Sequence, residues 1–164
     1  MHQPRDIVSK ILSRDQLRQR IVALKGDGKR VVFTNGCFDI VHAGHVNLLQ
    51  DARRQGDVLV VAVNSDASVR GLKGPTRPVV AQQQRAQVVA SLEAVDYVVV
   101  FDELDPLKVI EALVPHVLVK GGDWSPETIV GRDVVERNGG CVMALPLVAG
   151  LSTTEIIRRV TAAG

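Results

Sequence analysis

A chain of 164 residues, 46% of them hydrophobic, is long enough for one domain with a full core and too short for two ordinary ones. Its formal net charge is only +2 and no run of Lys or Arg exceeds two residues, which excludes the basic surface of a nucleic-acid binder or a polybasic membrane anchor. Two cysteines, Cys37 and Cys141, do not make a disulfide scaffold, and both fall in or beside apolar stretches, as in a reduced cytosolic protein.

Met1 to Asp6 lacks the apolar core and small-residue cleavage site of a leader, and no apolar run reaches membrane-spanning length, so a cytoplasmic location is expected. Ile7, Ile11, Leu12, Leu17, Ile21, Val22 and Leu24 then recur at roughly helical spacing. Ser13-Arg14-Asp15 offers a break and a cap, and Gly26-Asp27-Gly28 ends the pattern. Residues 1–28 are expected to form a helical arm, packed on the sheet or against another subunit, ahead of a domain over 29–164.

From Lys29 strands alternate with helices, the pattern of an α/β domain with right-handed crossovers. Strands are expected at Val31 to Thr34, Val58 to Val63, Tyr97 to Phe101, Val117 to Val119 and Cys141 to Leu145. Helices fall between them, one of them over Gln82 to Leu92, and the last follows Ser152. The fold class predicted is a Rossmann-like, parallel five-stranded sheet with helices on both faces, plus the amino-terminal arm. No internal repeat interrupts the series.

The first strand carries the chemistry. Val31 to Thr34 are β-branched or aromatic without alternation, as burial on both faces demands, and Asn35-Gly36 supplies turn chemistry at the end. After Gly44, Val46, Leu49 and Ala52 repeat at helical spacing. His42 and His45 therefore sit where a strand hands over to a helix, whose first turn has unpaired N–H groups and the positive end of the helix dipole. Three residues apart, both imidazoles can donate to one phosphoryl group, and Gly44 lets an anion approach the backbone. Fixed donors of this kind stabilise charge that builds on a phosphoryl group under attack. A cap or surface role is the ordinary fate of a single histidine at a helix start, but the pair in His-x-Gly-His favours function. Cys37, Asp39, His42 and His45 also offer metal ligands; their uneven spacing and the lack of a second cluster argue against a metal site.

Further along, Asn64-Ser65-Asp66 makes a polar step at a strand's carboxyl end, with Asp66 as an N-cap for the next helix. Gly71 to Pro78 is rich in Gly and Pro, and Lys73 between two glycine hinges is able to bring charge onto a triphosphate. Asp102-Glu103, beyond the third strand, faces the ligand side. Lys120-Gly121-Gly122-Asp123-Trp124 follows the fourth strand; its glycines permit close approach by a flat base, and Trp124, the single Trp, is either core or a wall of a base pocket. Ser152 is placed to cap the last helix in a capping box with Glu155, while Thr153 and Thr154 add donors for phosphates at a second helix N-terminus.

The string Thr34-Asn35-Gly36-Cys37-Phe38-Asp39-Ile40-Val41-His42-Ala43-Gly44-His45, with Leu151-Ser152-Thr153-Thr154-Glu155-Ile156-Ile157 near the end, resembles the cytidylyltransferase-like nucleotidyltransferases, and within them the heptose-phosphate adenylyltransferases. The likeness covers about Lys29 to Val160. It implies catalytic roles for His42, His45 and Lys73. It implies a nucleotide site formed by Asn35, Gly36, Cys37, Phe38, Asp39, His42, Gly44, His45, Lys73, Arg85, Gly121, Gly122, Asp123, Trp124, Ser152, Thr153 and Thr154. Arg85 enters because relatives carry a phosphate-contacting Arg where this helix opens; its alternative is a solvent-facing charge. Whether Lys73 or Arg77 meets the phosphates stays open. One departure is Leu147-Val148-Ala149-Gly150, where relatives often have charged residues, so no salt bridge to phosphate is expected from that loop.

The reaction implied is attack of a sugar 1-phosphate, a heptose 1-phosphate, on the α-phosphorus of ATP, with release of pyrophosphate and formation of an ADP-heptose for lipopolysaccharide or a related glycan. Mg2+ is expected to arrive with ATP, since no carboxylate cluster is available to cage it and no metal site of the protein's own is expected. The kinase that supplies the acceptor is expected on a separate protein, and sheet edges and the arm are compatible with a homodimer. Two other readings share part of the pattern: a cytidylyltransferase acting on glycerol 3-phosphate or another alcohol phosphate, and a non-catalytic nucleotide-binding module.

Overall fold

The computed structural model describes residues 6–163; Met1 to Arg5, part of the expected arm, lie outside the described residues. A single turn of 3-10 helix at Val8–Lys10 leads into α1 (Arg14–Gly26), followed by β1 (Val31–Gly36), α2 (Ala43–Arg53), β2 (Val58–Asn64), α3 (Asp66–Lys73) and α4 (Gln82–Ser91). Then come β3 (Tyr97–Phe101), α5 (Leu107–Leu113), β4 (Val117–Gly121), a second 3-10 turn at Pro126–Thr128, α6 (Arg132–Arg137), β5 (Cys141–Leu145) and α7 (Thr153–Ala162). All five strands are parallel, in the order β3-β2-β1-β4-β5, and match the five expected from sequence. Among the described residues no helix is long and apolar enough to cross a membrane.

Unbroken β-branched runs form these strands because successive side chains feed opposite cores. Every residue of β2 is buried. Val32, Leu59, Val61 and Val98 meet Leu49 and Ala52 of α2 and Val89 and Ala90 of α4 on one face. Val31, Phe33, Val60 and Val99 meet α1, α5 and α6 on the other, through Leu17, Ile21, Val109, Ile110 and Val135. That is the two-sided burial that separates a parallel strand from an alternating one.

The arm packs on its own sheet. Ser13 caps α1 in a reciprocal box with Gln16, and Leu17 and Ile21 are buried in the core. Arg14 forks onto Glu103 at 2.8 and 2.9 Å, and Lys25 donates to the Leu113 and Val114 carbonyls where α5 ends. Ahead of α1, Ile11 bridges to Val98 and Leu12 N–H donates to the Val98 carbonyl, so the β3 edge is partly covered.

Strand order positions the site. The chain runs outward from β1 through β2 to β3, then returns to place β4 on the other side of β1. The β1–β2 ladder extends from Val31 to Gly36, whereas β1 and β4 pair only at Val32–Val117 and Phe33–Leu118. Beyond those pairs the two strands part, and the carboxyl edge of the sheet opens at its switch point, where ligands of open α/β sheets bind.

Since Leu17 is fully buried, Leu17→Ala is expected to cost about 2–5 kcal/mol of unfolding free energy in urea titrations. A loss below about 1 kcal/mol would remove α1 from the core.

Candidate active site

A cavity of about 680 Å³ opens at this parting, lined by the ends of β1, β2 and β4, the first turns of α2 and α7, and the last turn of α3. His42 is the N-cap of α2: its Nδ1 accepts from the Gly44 N–H at 3.1 Å, while the His45 Nδ1 accepts from the His42 N–H at 3.3 Å. Capping and ligand binding are thus compatible functions of different ring atoms. With both Nδ1 atoms accepting, each neutral ring carries its proton on Nε2, which makes Nε2–H the remaining donor. The ring centroids lie 4.0 Å apart and both residues line the cavity. Burial lowers the His42 pKa, and burial together with neighbouring His42 pushes His45 down to about 4. Gly44 is required where it is, because a Cβ there would lie 2.9 Å from Cε1 of His42.

Asp39 lines the cavity but is committed elsewhere. Its buried carboxylate accepts from Arg77 Nε at 2.5 Å and from the Val79 and Val80 amides at 2.9 Å. Burial alone would raise this carboxyl, but the two amides and the guanidinium outweigh it and hold the pKa below its ordinary value. Between Cys37 and Asp39, Phe38 adopts φ 47°, a left-handed backbone that costs a bulky residue about 1–3 kcal/mol. Burial raises the Cys37 thiol, partly offset by Lys73, Arg85 and Arg77. Both Cys37 and Cys141 are free thiols.

Several expected residues fall differently in space. Arg85 was expected to meet a phosphate or solvent; it is 1% exposed and does not line the cavity. Its guanidinium is used internally, on the carbonyls of Val80 and Cys37 and on Asp66. Asp66 is not the cap of α3: Ser65 is, accepting from the Ser68 N–H, which frees Asp66 to pair with Arg85. Lys73 belongs to the last turn of α3 and not to a loop, so Gly71 is helical and the break comes at Gly74, with φ 94°. Lys73 and Arg77 both line the cavity, but Arg77 is paired with Asp39, whereas Lys73 has no ion pair among the described residues. Glu103 is taken by Arg14 and does not line the cavity; Leu104, Asp105 and Pro106, just after it, do.

On the β4 side Trp124 is 45% exposed and lines the cavity, its indole N–H donating to the Gly121 carbonyl at 3.1 Å. Lys120 sits 5.4 Å above that ring and also lines the cavity, with burial lowering its pKa. Gly121, Gly122 and Asp123 adjoin the cavity lining without contributing to it. A Cβ at Gly121 would lie 2.6 Å from Leu48 Cδ2 and 2.9 Å from Leu147 Cδ2, so glycine here permits close packing of apolar walls. Leu147, in the segment that departs from the charged pattern, is such a wall. Ser152 caps α7, accepting from the Glu155 N–H, but the reciprocal half of the box is absent because Glu155 pairs with Arg158. Thr153 Oγ1 donates to the Ile40 carbonyl at 3.2 Å, tying α7 to the histidine loop, and Thr154 lines the cavity beside it.

Sequence reasoning placed Asn64 at the ligand end of its strand without assigning it to the site, and missed the apolar lip of Leu72, Leu104 and Val130 and the wall at Ile129 and Leu151. Asn64 had a signal, its place at the end of β2. The lip residues had none, lying in loops and a helix end without periodic pattern.

A family profile described as Cytidylyltransferase-like matches residues 33–159. The chain belongs to the cytidylyltransferase-like family. With it, the chain is placed among the nucleotidyltransferases. "Bifunctional protein HldE" of Syntrophotalea carbinolica is 55% identical over 159 residues, 97% of this chain and 32% of that protein. The protein of the same description from Pelobacter propionicus is 57% identical over 155 residues, 94% of this chain and 32% of its own length. The chain thus spans about a third of the length of these curated relatives. Among solved structures, a lipopolysaccharide core biosynthesis protein from Thermoplasma volcanium superposes with a TM-score of 0.61 at 25% identity, covering 74% of this chain and 98% of that one. A pantoate-beta-alanine ligase from Francisella tularensis gives 0.61 at 16% identity over 92% and 76%, a likeness of fold alone. The matched span of this cytidylyltransferase-like chain begins in β1 and ends in α7, and so includes the start of α2 with His42 and His45 and the start of α7 with Thr153 and Thr154, which line one cavity.

Folded His45 stays neutral down to about pH 4 but titrates at its ordinary 6.5 when unfolded. Between those values the unfolded chain binds the extra proton, so stability is intact above the unfolded value and is lost as pH falls toward the folded one. His42 and His116 shift in the same direction, and Asp39 acts at lower pH. Urea midpoints are expected to drop between pH 6.5 and 4, less so in His45→Gln; an equal drop in both proteins would contradict the neutral state of His45.

Proposed function

We propose that this chain transfers the adenylyl group of ATP to a heptose 1-phosphate, releasing pyrophosphate and forming an ADP-heptose. The observation that carries the reading is the pair of histidines that line the crevice at the switch point of the sheet, each with its Nδ1 already accepting a backbone N–H. An acceptor phosphate oxygen attacks the α-phosphorus in line, and the bond to the bridging oxygen breaks toward pyrophosphate. His42 and His45 donate to the phosphoryl oxygens as charge accumulates there, and the first turn of α2 adds its dipole. The nucleophile is already ionised, so no side chain has to remove a proton.

Lys73 and the α7 terminus with Ser152, Thr153 and Thr154 are assigned to the β- and γ-phosphates, and Trp124 to the base and ribose. Mg2+ carried by the triphosphate would neutralise part of its charge. The Asp39 carboxylate is already occupied by Arg77 and two backbone amides, which suits delivery of Mg2+ with the nucleotide. The heptose acceptor rests on the overall likeness of the chain, since the motifs are shared with the cytidylyltransferase alternative, and the high identity to proteins described as HldE supports it. A sugar kinase would supply that acceptor, and reaction in the cytoplasm fits the use of ATP.

Pyrophosphate release, measured with ATP or CTP against heptose 1-phosphate, other sugar phosphates and glycerol 3-phosphate, is expected to be highest for ATP with heptose 1-phosphate. Dominance of CTP with an alcohol phosphate would establish the cytidylyltransferase alternative, and nucleotide binding without any release would establish a binding module. His42→Ala and His45→Ala are each expected to lower kcat by ~10²-fold or more. Near-normal turnover in both would take the imidazoles out of the mechanism.

A further inference from the structure

Arg85 heads the large, fully buried side chains. Its Nε donates to the Val80 carbonyl at 2.8 Å, Nη1 donates to the Cys37 carbonyl, and Nη2 meets the Asp66 carboxylate at 2.8 Å. One planar fork thus joins the turn after β1, the start of α3 and the segment before α4. A buried guanidinium is tolerated only when its donors are matched, and these partners fix geometry as well as charge.

The carbonyl that Arg85 holds precedes Phe38, the residue with φ 47°. The residue after Phe38 is held too, because Asp39 is pinned by Arg77, Val79 and Val80. With both flanks anchored, Phe38 keeps a conformation that an unconstrained aromatic residue would leave. Its ring lies against His45, with centroids 5.2 Å apart and planes at 50°, and a Cβ at Gly36 would come within 3.0 Å of it on another side. The ring is therefore wedged between the end of β1 and the imidazole.

We propose that Arg85 is a positioning residue: by holding the Cys37 carbonyl it keeps Phe38 left-handed, and the Phe38 ring holds the His45 imidazole with Nε2–H toward the cavity. This rests on His45 as a phosphate donor in the reaction above. Lysine at position 85 supplies a charge for Asp66 but not the planar fork that reaches all three partners. In the full 164-residue chain, Arg85→Lys is expected to lower kcat about 10- to 100-fold while KM for ATP changes less than about threefold. NMR of the imidazole nitrogens is expected to show His45 losing its single Nε2–H tautomer in the same variant. Phe38→Leu, which leaves the Arg85 partners in place, is expected to reproduce both effects, and it carries the test alone should Arg85→Lys not fold. Wild-type kcat in either folded variant overturns the proposal, as does a lost kcat with unaltered His45 signals. If the wild-type chain releases no pyrophosphate from any nucleotide, the functional reading fails, and the His45 tautomer in the two variants still decides the positioning role.

Discussion

In the proposed reaction, the chemistry of this cavity depends on where two imidazole protons sit. Because backbone N–H groups occupy both Nδ1 atoms, the histidines are neutral donors with a fixed direction. A charged imidazolium would attract the triphosphate in the ground state about as well as in the transition state, which tightens binding without speeding reaction. A neutral donor aimed at oxygens that gain charge during attack discriminates better. An arriving polyanion raises the pKa of any nearby histidine, and a starting value of about 4 for His45 leaves room for that rise while the ring remains neutral.

Cations near the cavity divide into two groups. Arg77 and Arg85 face inward, onto Asp39 and Asp66, and shape the loops around the histidines. Lys73 and Lys120 line the cavity without carboxylate partners among the described residues. The arginines suit the internal positions, since a rigid fork satisfies several acceptors at once, whereas a lysine acts as a mobile point charge. Buried ion pairs are weak contributors to stability but strong constraints on geometry once formed, because breaking one leaves the other uncompensated. Phe38, left-handed at φ 47°, lies between two residues held in this way.

The strands were legible in the sequence because two-sided burial leaves an unmistakable trace: Val58 to Val63 and Tyr97 to Phe101 are continuous apolar runs, and each became a strand within a residue of its expected ends. His42 and His45 were legible because their function is local, set by a three-residue spacing at one strand-to-helix junction. Arg85 was not. Sequence gives the residue type, but the direction of the side chain depends on the Cys37 carbonyl and Asp66, 48 and 19 positions away. Ser65 and Asp66 are both good caps, and a shift of one residue in the start of α3 decides which one caps and which one pairs. For Glu155 the competitor was Arg158, one turn along the same helix, whose bidentate contact replaced the reciprocal half of the box.

The two helix N-termini that frame the cavity are anchored very differently. Leu48, Leu49 and Ala52 of α2 are buried, whereas α7 has no buried residue among those described. Local opening costs least where few apolar contacts and mostly exposed hydrogen bonds hold an element, so α7 is the less stable wall. It is nonetheless joined to the other wall, since Thr153 bonds the carbonyl of Ile40, between Asp39 and the histidines. A displacement of α7 would therefore act, through Thr153, on the loop that Arg77 and Arg85 hold in place.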